Sequence, residues 1–346
     1  MKQILTILIL LSLLVTPVSA EEYTAPPVPD HAQQWMPNSV DSFGEGLLEI
    51  LGKILPQIQP SMAQCLETCT RITAMVLLVS LVCHISGSAA HAAELSGTIA
   101  VGMLLLGSSR SLFTLGTETI RQISDYGKLL LPVMTSAMAA GGSVTGSSAL
   151  YLGTAFFDSL LSSAVSVLLT PMLYVYLALS VADHALHQEL LKQIKGFVKW
   201  LMTWVLKVIL YLFTGYMAIT GVVSGTTDIT ALKAAKLTIS GLIPVVGNIL
   251  SDASEAVLVG ADVVRNAVGI YGLFAILSIW IGPFIQIGIQ YLCLKFTSGI
   301  CQIFGTKSSS QLISDFSGAM GLLLAMTGTV CLILLISTVC FMKGVG

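Results

Sequence analysis

Charged residues divide this chain into long uncharged stretches, and that spacing constrains its fold more than any other feature. Runs without Asp, Glu, Lys or Arg occupy residues 72–93, 129–157, 159–182, 208–227, 266–294 and 316–342. A helix crossing a hydrocarbon core of about 30 Å needs about 20 mainly apolar residues, and each run supplies them. A shorter run, 95–109, is apolar enough to cross if flanking side chains extend their polar ends toward water. Another, 237–251, contains Gly241, Pro244 and Gly247 and reads as a broken or re-entrant segment. The apolar stretches are continuous rather than alternating, which selects helices over a membrane β-barrel. The expected fold is all-α: a polytopic transmembrane helical protein of six to eight spans, with broken or re-entrant helices and an interfacial amphipathic helix.

Composition removes other classes. Only 10% of the 346 residues are charged, against about 25% in a soluble domain. Too few charges remain to form the polar shell of a soluble enzyme. The net charge of −2 gives no cationic field for nucleic acid.

Residues 1–20 have the order of a signal peptide. Lys2 is a minimal basic start, Ile4 to Val15 is apolar, Pro17 ends the helix, and Val18-Ser19-Ala20 fits a small-residue cleavage pattern. Cleavage is expected between Ala20 and Glu21. Residues 21–71 form the expected exported segment. Its first part, to about Ser39, is rich in proline and reads as an extended tail; Val40 to Ile58 reads as an amphipathic helix. Residues 72–346 form the multi-span membrane domain. The seven cysteines are too scattered for a disulfide framework. Cys65 and Cys69 would share a helix face but suit a mutual disulfide poorly. No cysteine spacing resembles a zinc site, and no cofactor or metal is expected.

Leu112 to Leu130 separates an apolar stripe (Leu112, Leu115, Ile120, Ile123) from a charged one (Glu118, Arg121, Asp125, Lys128), as an interfacial helix does. Gly141-Gly142 reads as a break, and Thr170-Pro171 and Gly282-Pro283 each interrupt an apolar run. With an exported N-terminus, five crossings at 72–86, 97–111, 129–140, 149–168 and 170–182 bring the chain inside by Asp183. Lys192, Lys195 and Lys199 then follow in a cytoplasmic loop, as the positive-inside rule asks.

The chain has no HExxH, GxSxG, GxxxxGK[ST] or GxGxxG pattern. Asp183, His184 and His187 read as a solvated loop before the next helix. Asp158 is the only charge between Lys128 and Asp183. An intramembrane carboxylate faces a partner or a cavity, whereas at a turn or the interface it needs neither. Lys207 either extends toward the interface or pairs with Asp158. The stretch Gly215 to Gly272 combines breaks with caps. Thr227 or Asp228 is an expected cap, Lys233 and Lys236 share a face, Pro244 interrupts, and Asp252 with Glu255 resembles a capping box. These residues are candidate structural or conduit positions, with no catalytic residue among them.

Residues 227–236 (TDITALKAAK), 243–258 (IPVVGNILSDASEAVL) and 266–272 (NAVGIYG) resemble the core of the stage III sporulation protein AE family. Leu129 to Met134 and Ala137 to Gly142 resemble a second signature. The sequence departs at Ile229, where the family more often has glycine. The resemblance implies a non-enzymatic, multi-pass component of the mother-cell membrane surrounding the forespore. Its implied partners are other stage III sporulation channel proteins, including a separate ATPase and a forespore membrane protein. Together they would form a secretion-like channel required for endospore formation. The alternative is a stand-alone permease for a small solute, using Asp158 and the discontinuous helix at Pro244.

Overall fold

The structure, a computed structural model, describes residues 26–38, 43–141, 143–242, 246–304 and 306–343; at 43, 221–262, 264 and 304 it describes the backbone alone. A short helix α1 (Asp30–Gln33) precedes α2 (Phe43–Ile85). A 3-10 turn (Gly87–Ala89) leads into α3 (Ala90–Ala140). Then come α4 (Val144–Ser163), a π-turn (Ala164–Leu169) and α5 (Thr170–Leu186). Three long helices finish the chain: α6 (Glu189–Leu242), α7 (Val246–Phe304) and α8 (Lys307–Lys343). Among the described residues, six helical stretches are long and apolar enough to cross a membrane. The all-α, polytopic expectation holds.

Burial ranks these helices. The most apolar windows of α7 and α8 are 67% and 61% buried, while those of the other four stretches are 22–33% buried. A helix that is apolar all round belongs in the interior. That describes α8, where Phe316, Met320, Leu323, Met326, Val330, Ile333 and Phe341 are all buried. It packs against α3, α4, α5, α6 and α7. Lipid removes most of the hydrophobic drive between helices, so close packing and interhelical hydrogen bonds hold such a bundle. Gly116 of α3 meets Leu323 of α8 so closely that a Cβ there would lie 2.6 Å from Leu323 Cδ1. A Cβ on Gly153 of α4 would overlap the ring edge of Tyr216 on α6 at Cε1. The Tyr216 hydroxyl donates across the same crossing to the Ala149 carbonyl at 2.9 Å.

Several local expectations change. Gly141 does end α3, its N–H bonding the Ala137 carbonyl at 3.1 Å, while Gly142 lies outside the described residues. The stretch 112–130 is not a separate interfacial helix but the middle of the 51-residue α3. Its apolar stripe is covered by neighbouring helices, with Leu112 and Leu115 half-buried and Ile120 and Ile123 buried. Likewise 40–58 is not separate: α2 starts at Phe43 and runs through residue 71 and through Pro56 and Pro60. The segment before it is not an extended tail over the residues described. Val28, Ala32 and Trp35 are buried, and α1 packs on α7. Pro171 does not break its run. It cannot donate a backbone hydrogen bond, and the preceding turn widens to a π-turn while the helix continues. Pro283 sits within α7.

Candidate functional site

Three helix corners, at the start of α3 (Glu94), between α5 and α6 (187–188) and at the start of α8 (Lys307 and Ser308), meet at one end of the bundle and line a polar pocket of about 600 Å³. Helix α5 stops because His187 adopts the left-handed conformation (φ 53°), letting its N–H cap the Asp183 carbonyl at 2.8 Å. That stop turns Asp183 and His184 inward, and α6 returns immediately with Lys195 facing them. The Lys195 ammonium donates to Asp183 Oδ2 at 2.5 Å and to Asp315 Oδ2 on α8 at 2.7 Å. His184 Nε2 also bonds Asp315 Oδ2, at 2.8 Å. The Tyr176 hydroxyl donates to Asp315 Oδ1 at 3.3 Å. The side chains of Lys195, Asp183, His184 and Asp315 are only 11%, 9%, 11% and 22% exposed, so water cannot screen this network effectively.

A second set of bonds joins the same three corners. Ser308, at the start of α8, donates its single hydroxyl proton to Glu94 Oε1 on α3 at 2.8 Å. His187 Nε2 lies 2.8 Å from the Ser308 hydroxyl oxygen and, with that hydroxyl proton committed to Glu94, is the donor in this bond. This order differs from a Ser-His-acid triad, in which imidazole takes the serine proton and an acid orients the imidazole. The arrangement links the start of α3, the end of α5 and the start of α8.

A smaller polar contact lies within the bundle. Asp158 of α4 is 5% exposed and accepts a hydrogen bond from Ser124 Oγ of α3 at 2.6 Å. Its Oδ1 has no hydrogen-bond partner among the described residues. Four residues away, Thr154 and Ser337 of α8 share a 2.7 Å hydroxyl bond. Serine and threonine contacts of this kind connect helices in lipid.

The chain matches the family model for stage III sporulation protein AE over residues 36–344. It belongs to this family. It is also similar to stage III sporulation protein AE of Bacillus subtilis (strain 168), 23% identical over 203 residues, a match covering 59% of this chain and 51% of that relative. The match thus spans about half the relative's length. No solved structure matches the chain.

Within this family member, the candidate residues read from the sequence scatter. Asp158 is buried at the Ser124 contact. Lys207 is exposed on α6 and forms no ion pair with Asp158 among the described residues. Asp228, Lys233 and Lys236 lie in the later part of α6, and Asp252 and Glu255 in α7; their side chains, and Pro244 entirely, lie outside the described residues. So do Ala20 and Glu21. The expected caps are corrected. The helical backbone of α6 runs through Thr227 and Asp228, and α7 begins at Val246, six residues before Asp252. The expected solvated loop is corrected too, because Asp183 and His184 are buried. Sequence reading missed Glu94, Lys195, Ser308 and Asp315 as partners. Only the isolated Asp315, followed by 27 uncharged residues, carried a signal.

Proposed function

We propose that the chain is a non-enzymatic membrane component of the mother cell–forespore channel, a secretion-like complex energised by a separate ATPase and completed by a forespore membrane protein. The observation that carries this reading is the family match over residues 36–344, together with six span-capable helices. The polar corner network supports it, because its bonds tie α3, α5, α6 and α8 together. Orientation follows from the signal peptide. Cleavage between Ala20 and Glu21 puts α1 in the space between the two membranes. Three helices then bring the Lys192–Lys199 segment to the mother-cell cytoplasm. Five crossings were expected there from sequence and three span-capable helical stretches precede it; both numbers are odd, so the proposed side is the same.

The test is deletion of the gene in its own spore former, with complementation by a tagged copy. Heat-resistant spores should be lost on deletion. The tagged protein should start at Glu21 and co-purify with an ATPase and further membrane proteins. Solute transport by the purified protein alone in liposomes, with no dependence on partners, would replace this reading with the permease.

A further inference from the structure

The fold brings together three cysteines that lie far apart in sequence. Cys65 and Cys69 stand one helical turn apart on α2 and are buried; Cys293 reaches them from α7. All three are free thiols, and their sulfurs lie within 4.8 Å of one another. Metal–thiolate bonds of about 2.3 Å place the sulfurs of a trigonal or tetrahedral site about 3.8–4.0 Å apart. Closing this trio onto an ion therefore needs sulfur movements of less than about 1 Å, within the reach of small side-chain rotations.

We propose that Cys65, Cys69 and Cys293 bind a soft, thiophilic metal ion, Zn²⁺ or Cu⁺, and so tie α2 to α7. The donor set decides the class. Three sulfurs without a carboxylate select soft ions and exclude Mg²⁺ and Ca²⁺, which take oxygen ligands. The site is also reachable. Cys69 and Cys293 line an apolar groove of about 640 Å³, with Met62, Leu66, Phe296 and Thr297. The groove leaves one side of the trio open for a fourth ligand, and the Met62 thioether there suits copper more than zinc. Binding converts thiols to thiolates and releases up to three protons to solvent, while the metal keeps its oxidation state.

The test uses the full-length protein in detergent, reduced with a phosphine. Cd²⁺ serves as the first probe, because cadmium–thiolate bonds absorb in the ultraviolet. Zn²⁺ competition and Cu⁺ titration against a chromogenic chelator then separate the two ions. One ion per chain is expected. Each of Cys65→Ser, Cys69→Ser and Cys293→Ser should weaken binding at least 10-fold and lower the absorbance, while Cys331→Ser, within α8, should change neither. An ion at 100 times its Kd should shift the unfolding equilibrium about 100-fold in the wild type only. Three results would overturn the site: no stoichiometric binding to reduced wild-type protein, binding that survives Cys293→Ser, or a Cys293 disulfide to Cys65 or Cys69 in protein alkylated directly from cells.

Discussion

Removing the ammonium of Lys195 should expose how much the corner network holds. Lys195→Met keeps an unbranched, apolar side chain one atom shorter and removes the charge and donors. Asp183 and Asp315 then face each other with their cation gone, in a place where their side chains are 9% and 22% exposed. Breaking a buried pair by removing one partner destabilises by about 3–5 kcal/mol. At 1.4 kcal/mol per factor of ten, that is about two to four powers of ten in the unfolding equilibrium. The assay is thermal unfolding in detergent, followed by a dye that fluoresces on reaching buried thiols such as Cys331, which is 2% exposed. The midpoint should fall well below that of wild type. Adding Asp183→Asn and Asp315→Asn should recover part of the loss, because neutral amides do not need the cation. Lys192→Met is the control, since the Lys192 and Glu189 side chains are 65% and 78% exposed and surface pairs contribute little. An unchanged midpoint in Lys195→Met, or an equal fall in Lys192→Met, would refute the account of a buried, structural network.

Three further outcomes follow from the geometry. Gly153→Leu should lower membrane-protein level through overpacking against Tyr216, at about 1–3 kcal/mol, whereas Gly107→Leu, with nothing within 4 Å among the described residues, should be neutral by immunoblot. Asp158→Asn should preserve both protein level and heat-resistant spore yield, because an amide oxygen still accepts from Ser124 Oγ; normal level with no spores would instead assign the carboxylate to ion coupling. A cysteine at the exposed position Lys192, in a version lacking native cysteines, should resist impermeant maleimide in intact cells, and ready labelling would reverse the orientation.

What was legible in the sequence follows from how each feature is encoded. Spans were legible because hydropathy is local, and a long uncharged run at 316–342 has few alternatives to a buried helix such as α8. Boundaries were less so. Gly141 ended α3 as expected, but the glycines and threonines at 221–227 did not end α6. Composition weakens a helix at such places, and neighbours decide whether it persists. The charged stripe at 118–128 was read as facing a membrane surface because periodicity reports a second environment without saying which one. Here the apolar face meets α7 and α8. The site was the least legible part. Lys195 and Asp315 are 120 residues apart, and Cys69 and Cys293 are 224 apart. A pairing that distant is set by which helices become neighbours, and nothing at either position announces it.

Helix length adds a constraint that span counting hides. At about 1.5 Å per residue, the 51 residues of α3 extend about 77 Å, against a hydrocarbon core of about 30 Å. Even tilted by 40°, α3 would still rise about 59 Å along the bilayer normal. Its charges agree with this excess. Arg110, Arg121, Asp125 and Lys128 are exposed, and Arg121 and Lys128 are paired, among the described residues, only with neighbours on the same helix. Those residues are costly in lipid, yet they lie between two uncharged runs, 95–109 and 129–140. A bilayer around 95–109 leaves the later half of α3 standing outside it, still packed on α7 and α8 as a helical projection. A bilayer around 129–140 puts the polar corner network far from the membrane on the other side. Either placement makes the bundle reach well beyond one membrane, as the proposed role in a channel between two membranes would require.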